Sequence, residues 1–179
     1  MKDLKEEKYL IAYFSRAGDN YVGGNILNLS VGNTEVAAKM IQEMTEGDIF
    51  CIDPVNSYPE GYTETTEVAQ KELHENARPE LSSHIENMDS YGLIFLGYPN
   101  WWGTMPMAVF TFLEEYDFSG KTIAPFCTHE GSGLGRSERD IAKLCPQSMI
   151  LEGLAVRGGD VKNAQNKVTE WLHKSGMKD

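Results

Sequence analysis

At 179 residues, with 41% hydrophobic and 24% charged side chains, the chain suits one α/β domain spanning 1–179 and leaves little room for a second core. Composition this ordinary excludes a disordered polymer. A net charge of −11, from 16 Lys+Arg against 27 Asp+Glu, speaks against nucleic acid as a partner, because phosphates would be repelled on average.

The first strand is expected at Tyr9 to Phe14, a continuous apolar run of the kind buried on both faces of a parallel sheet. A Gly- and Asn-rich stretch from Ala17 to Gly32 follows and breaks the alternation; long loops inside a compact domain usually carry function. Thr34 to Met44 has helical period, with Val36, Met40, Ile41 and Met44 on one stripe and Asn33 or Thr34 as its cap. Asp48 to Asp53 reads as the second strand. A loop rich in Tyr, Pro and Gly then leads to a polar helix of about Thr63 to Asn76. Tyr91 to Tyr98 is the third strand, ended by Pro99, and Met105 to Leu113 is the helix after it. Lys121 to Cys127 is the fourth strand, Arg136 to Leu144 a helix, and Met149 to Val156 the fifth strand. The closing helix, Asp160 to Lys174, turns Val161, Ala164, Val168, Trp171 and Leu172 towards the core. Five strands alternating with five helices predict a doubly wound, five-stranded parallel sheet with helices on both faces.

Cys51, Cys127 and Cys145 form no CxxC pair, and Cys51 and Cys127 sit in apolar runs that predict reduced, buried thiols. The charged start MKDLKEEKYLIAYF is unlike a signal peptide, and no run approaches the ~20 apolar residues that span a bilayer. The expectation is a cytoplasmic protein, monomeric or weakly dimeric, with no membrane association.

In an open parallel sheet, ligands collect at the carboxyl ends of the strands. After the first strand stand Ser15, Arg16, Ala17 and Gly18, and beyond the insertion Gly32, Asn33 and Thr34 open a helix. Hydroxyls, small residues and a helix N-terminus make an anion site from outward N–H groups. No GxxxxGK[ST] pattern is present, which disfavours a nucleoside triphosphate. After the third strand comes Pro99-Asn100-Trp101-Trp102-Gly103-Thr104. Adjacent tryptophans cannot easily both face inward, so a flat aromatic ligand is expected on one of them. Gly103 would let a peptide plane turn over at little steric cost. After the fourth strand, His129-Glu130-Gly131-Ser132-Gly133 lets the backbone approach the edge of a heterocycle. A histidine in such a loop is more often hydrogen-bonded or solvated than catalytic.

With these three loops placed, the chain closely resembles the flavodoxins, over about Tyr9 to Trp171, in a branch carrying YPNWWG and THEGSGLGRS loops. That resemblance implies the strand order 2-1-3-4-5, for which flavodoxin is itself a standard example. It also implies one non-covalently bound FMN. Ser15, Arg16, Ala17, Asn33 and Thr34 would hold its phosphate. Pro99, Asn100, Trp101, Trp102 and Gly103 would line the ribityl chain and one ring face, and His129, Glu130, Gly131 and Gly133 the other edge. Asp19 to Val31 interrupts the family's normally continuous phosphate loop, with Tyr21 the residue placed to touch something. An electron carrier serving redox partner proteins is the first functional expectation. An FMN-dependent NAD(P)H quinone or nitro-compound reductase, its pocket bounded by the insertion, Tyr58, Tyr62 and His129, is the alternative. A phospho-acceptor receiver is disfavoured, because Ser15-Arg16 and Tyr98-Pro99 stand where its acidic residues belong.

Overall fold

The computed structural model describes residues 7–177. Its strands are β1 (Lys8–Tyr13), β2 (Gly18–Val22), β3 (Asn25–Leu29), β4 (Asp48–Cys51), β5 (Tyr91–Pro99), β6 (Thr122–His129), β7 (Met149–Ile150) and β8 (Leu154–Arg157). The α-helices are α1 (Asn33–Thr45), α2 (Tyr62–His74), α3 (Met107–Glu115), α4 (Ser137–Leu144) and α5 (Gln165–Lys174).

The central sheet is parallel in the order β4-β1-β5-β6-β7, with β8 also paired to β6. Side chains alternate across it with period two, as a pleated strand requires. Leu10, Ala12, Ile94, Leu96 and Tyr98 enter one core with α3 and Ile141 of α4. Ile11, Tyr13, Leu93 and Phe95 enter the other, against Ala37, Ala38 and Ile41 of α1 and Val168, Trp171 and Leu172 of α5. Being buried on both faces is why β1 and β5 read as unbroken apolar runs.

Several expectations need correction. The fifth strand is two pieces, β7 and β8, between which the register against β6 slips by one residue. The intervening backbone finds partners elsewhere: Gly153 N–H donates to Glu138 Oε2 (3.0 Å) and Trp171 Nε1 donates to the Glu152 carbonyl (2.9 Å). The closing helix is likewise split, a 3-10 turn over Gly158–Asn163 preceding α5, although all five apolar residues assigned to it are buried. In α1 the buried stripe is Ala37, Ala38 and Ile41, not the stripe through Met44, which is exposed. Small residues face the sheet there because the helix lies close against β1 and β5. Cys51 is exposed, because β4 is an edge strand; burial does cover Cys127, whose thiol is pushed up to about 12.

The Ala17–Gly32 stretch is not an irregular loop. It holds the antiparallel hairpin β2–β3, turning at Gly23-Gly24, both at positive φ, with Tyr21 opposite Ile26. Two adjacent glycines between short apolar strands are a hairpin signature, and that signature was present in the sequence.

Candidate functional site

The carboxyl ends of β1, β5 and β6 converge on a cleft of about 490 Å³. Eleven of the fourteen residues expected at the site line it: Ser15, Arg16, Asn33, Thr34, Pro99, Asn100, Trp101, Trp102, Gly103, His129 and Glu130. Ala17, Gly131 and Gly133 do not; Ala17 and Gly131 face solvent, and Gly133 acts through its carbonyl behind the wall.

The α1 end of the cleft is built around a missing side chain. A Cβ on Gly32 would collide with Ser15 Oγ and the Arg16 carbonyl, so glycine alone lets the start of α1 close onto the end of β1. Ser15 Oγ then accepts the Glu35 N–H (3.1 Å), a cap delivered from the segment just beyond β1 rather than by Asn33 or Thr34. The first-turn N–H groups of Asn33 and Thr34 lie at the mouth of the helix, where the macrodipole favours an anion. Thr34 and Thr128 share a buried hydroxyl–hydroxyl hydrogen bond (2.8 Å) that joins α1 to the end of β6.

Arg16 is placed differently from the phosphate ligand expected of it. Its guanidinium donates to the carbonyls of Asp19, Pro59 (2.8 Å), Glu60 (2.5 Å) and Gly61. It therefore ties the base of the hairpin to the loop before α2. Burial draws its pKa below the usual value, with Asp19 and Glu60 opposing.

The segment after β5 is a tight turn, with Trp101 N–H donating to the Thr104 carbonyl (2.8 Å) and Thr104 N–H to the Trp101 carbonyl (3.3 Å). Trp102 and Gly103 both have positive φ, 57° and 88°, the signature of a type I′ turn. The two tryptophans separate cleanly. Trp101 is edge-on to Phe14 and Tyr58 at 5.1 and 5.0 Å and belongs half to the core. Trp102 is 48% exposed and donates through Nε1 to the Thr66 carbonyl of α2 (3.0 Å). Turnover of the Trp102–Gly103 peptide, one of the two peptides at Gly103, is opposed by this geometry. Gly103 N–H donates to Asn100 Oδ1 (2.9 Å), and the turned-over form, type II′, reserves the Trp102 position for glycine.

Asn100 is the brace of the site. Besides holding Gly103, it donates through Nδ2 to the Gly133 carbonyl (2.8 Å), while its own N–H reaches the Thr128 carbonyl (2.8 Å). Arg136 N–H donates to the Gly103 carbonyl (2.8 Å), closing the same two loops from outside. His129 Nδ1 accepts the Gly131 N–H (2.8 Å), so its neutral ring carries its proton on Nε2. Burial, with Arg157 and Lys167 nearby, lowers its pKa and keeps that ring neutral.

Sequence reasoning missed the wall supplied by α2 and the hairpin: Asn20, Thr65, Thr66 and Ala69, together with Thr128, Ser132 and Gly158. Tyr21 and Tyr62 had been singled out and both line the cleft, their rings 6.0 Å apart. A run of Thr and Ala on an otherwise polar helix was the available signal for α2. The hairpin tip crosses to the far loop, where Gly23 N–H donates to Glu130 Oε2 (3.0 Å). Among the described residues, no cluster of three or more His, Cys, Asp or Glu could hold a metal ion, and no helix is long and apolar enough to cross a membrane.

A doubly wound α/β sheet with three ligand-facing loops at one rim is the architecture of small nucleotide- and flavin-binding proteins. The sequence pattern of the flavodoxin family matches residues 8–175, and the chain belongs to that family. Among solved structures it is similar to a protein of Bacteroides eggerthii described as a flavoprotein, at 28% identity and a TM-score of 0.78, covering 97% of this chain and all of that one. A second, from Bacteroides uniformis, shares 26% identity with a TM-score of 0.71, covering 93% and 98% of the two chains. A Lactobacillus acidophilus flavoprotein solved in complex with FMN matches at 19% identity and a TM-score of 0.63, covering 92% and 98%, and shows the fold alone. A search of the curated proteins finds no match.

Proposed function

We propose that the cleft holds one FMN non-covalently and that the protein uses it to pass electrons. The observation that carries this reading is the meeting, in one braced cleft, of a helix N-terminus suited to phosphate and of half-open aromatic rings suited to a planar heterocycle. The donor set fits. Ser15, Asn33 and Thr34 with the α1 amides would take the phosphate, the Pro99–Gly103 turn the ribityl chain and a ring face, and His129 and Glu130 the opposite edge. A Cβ on Gly158, at the cleft surface, would collide with Asn33 and Glu130, so that side of the cleft is kept open by a bare backbone.

Bound FMN supplies reversible one- and two-electron chemistry; the chain supplies position and field. His129 offers a neutral Nε2–H donor on a fixed tautomer. Glu130 and the overall charge of −11 oppose added negative charge in the site and present an acidic surface to a basic redox partner. Asn100 holds the two loops that flank the ring so that neither must reorganise. The test is reconstitution: purified protein, stripped and titrated with FMN, is expected to bind one equivalent and to release it unmodified on denaturation. No retained yellow chromophore after reconstitution sinks the reading.

A second reading, turnover of a small molecule at the same cofactor, is favoured by one feature: the wall that the hairpin and α2 add beyond the three loops. Steady NAD(P)H oxidation with a quinone or nitroaromatic acceptor would select it over the carrier.

A further inference from the structure

The β2–β3 ribbon leaves one strand edge uncovered. Among the described residues, β3 pairs with β2 and with no other strand. The two-residue turn makes Val22 and Asn25 a hydrogen-bonded pair, which fixes the direction of every group along β3. The N–H and C=O groups of Asn25, Leu27 and Leu29 face β2, and those of Ile26 and Asn28 face outward. Edge strands are usually guarded by a lysine, a proline or a bulge. This one reads Asn-Ile-Leu-Asn-Leu and has none of them, and Ile26 and Leu27 are 54% and 46% exposed. From Ala17 to Thr34 the one charged side chain is Asp19, which lies on β2 and accepts from Asn28 Nδ2 (3.0 Å).

We propose that this edge joins two copies of the chain, β3 to β3, antiparallel about a two-fold axis at Leu27. The strand is complementary to itself in that register and in no other. Centred on Leu27, Ile26 of each copy stands opposite Asn28 of the second, so every outward N–H and C=O group of both strands finds a partner. Centring on Ile26 or on Asn28 would pair that residue with its own counterpart and leave the other without a strand partner. Leu27 then meets Leu27 of the second copy, with Leu29 of each on the same face, and these leucines leave water together. Charge selects a second copy over a charged partner. Two chains that each carry −11 repel on average and can meet where neither brings a charge, whereas a basic partner would find no anion along this strand. The contact closes at two copies, because each pairing uses both free edges. A strand this short makes a weak, reversible dimer. The same ribbon carries Asn20 and Tyr21 on the cleft lining, so a four-stranded sheet shared by two copies also steadies that wall.

Sedimentation velocity of the full chain over a concentration series is expected to show a monomer–dimer equilibrium with nothing larger. Added salt should strengthen it, since screening relieves the repulsion between two acidic chains. Leu27→Lys sets like charges face to face at the axis and should weaken the dimer by about tenfold. Ile26→Pro should weaken it similarly, by removing an outward N–H for which the monomer has no use. Unchanged urea midpoints at monomer concentrations show that neither variant has unfolded. In a Cys51→Ser background, which removes the exposed thiol, Leu27→Cys should give a disulfide-linked dimer under diamide, and Asn25→Cys should not. The proposal is overturned if the chain stays monomeric at millimolar concentration, if salt dissociates the dimer, or if larger assemblies form. It is overturned equally if either Leu27→Lys or Ile26→Pro leaves the dimer intact, or if Asn25→Cys links as readily as Leu27→Cys.

Discussion

The β1–β5–β6 sheet and the β2–β3 hairpin are strands of the same chain under opposite conditions. Phe95, in the middle of β5, is fully buried between Tyr9 and Trp171, whereas Ile26 and Leu27, neighbours on β3, are 54% and 46% exposed. The middle of each strand in the one region is buried, its side chains packed into cores on both faces of the sheet. The other is a two-stranded ribbon, a unit marginally stable by itself, fastened at its base by Arg16 and at its tip by Glu130. Stability therefore resides in the sheet, and freedom to vary in the hairpin, with the ligand-facing loops at the border between them.

That contrast can be broken at its strong end first. Phe95→Ala is expected to lower unfolding free energy by roughly 3–5 kcal/mol, read from urea denaturation, because the surrounding rings cannot collapse into the space. Gly32→Ala, at the border, should cost roughly 1–3 kcal/mol and weaken FMN by about tenfold. Its methyl would push Ser15 from the Glu35 N–H, and calorimetric FMN titration shows whether the α1 end of the cleft has opened.

A gentler effect comes from His129. Its native pKa lies below the unfolded value of ~6.5, so on acidification the unfolded state takes up this proton before the native state does. Its contribution is complete above that unfolded value and is lost as pH falls through it towards the native pKa. Protonation also removes the Nδ1 acceptor of the Gly131 N–H. FMN affinity should accordingly fall on acidification, and His129→Asn should flatten that part of the profile. At the weak end, Ile26→Asn on the hairpin should move stability by no more than about 0.5 kcal/mol; a larger loss would mean that the hairpin shares the core.

The legible part of the molecule was the part governed by local pattern. Tyr91 to Tyr98 reads as a buried strand because it is one, and Val161 through Leu172 reads as a core-facing stripe that survives even though the helix is split. That eleven of the fourteen expected residues line one cleft was legible because strand ends announce themselves by Pro, Gly and Asn. What the Arg16 side chain holds was not legible, because a guanidinium near a helix start looks alike whether it faces an anion or four carbonyls. How freely the Trp102–Gly103 peptide can turn was not legible, because that depends on the residue before it: a tryptophan at positive φ is seen only in three dimensions.

By itself the sequence determined the alternation of strands and helices, and hence the doubly wound sheet and the rim at which ligands collect, because these follow from periodicity and short-range backbone preference. Tertiary structure alone decided which tryptophan joins the core, where the cap on α1 comes from, and that the insertion reaches Glu130, 107 positions away. Those outcomes turn on which distant groups compete for the same donor, acceptor or space, a competition that exists only once the chain has folded.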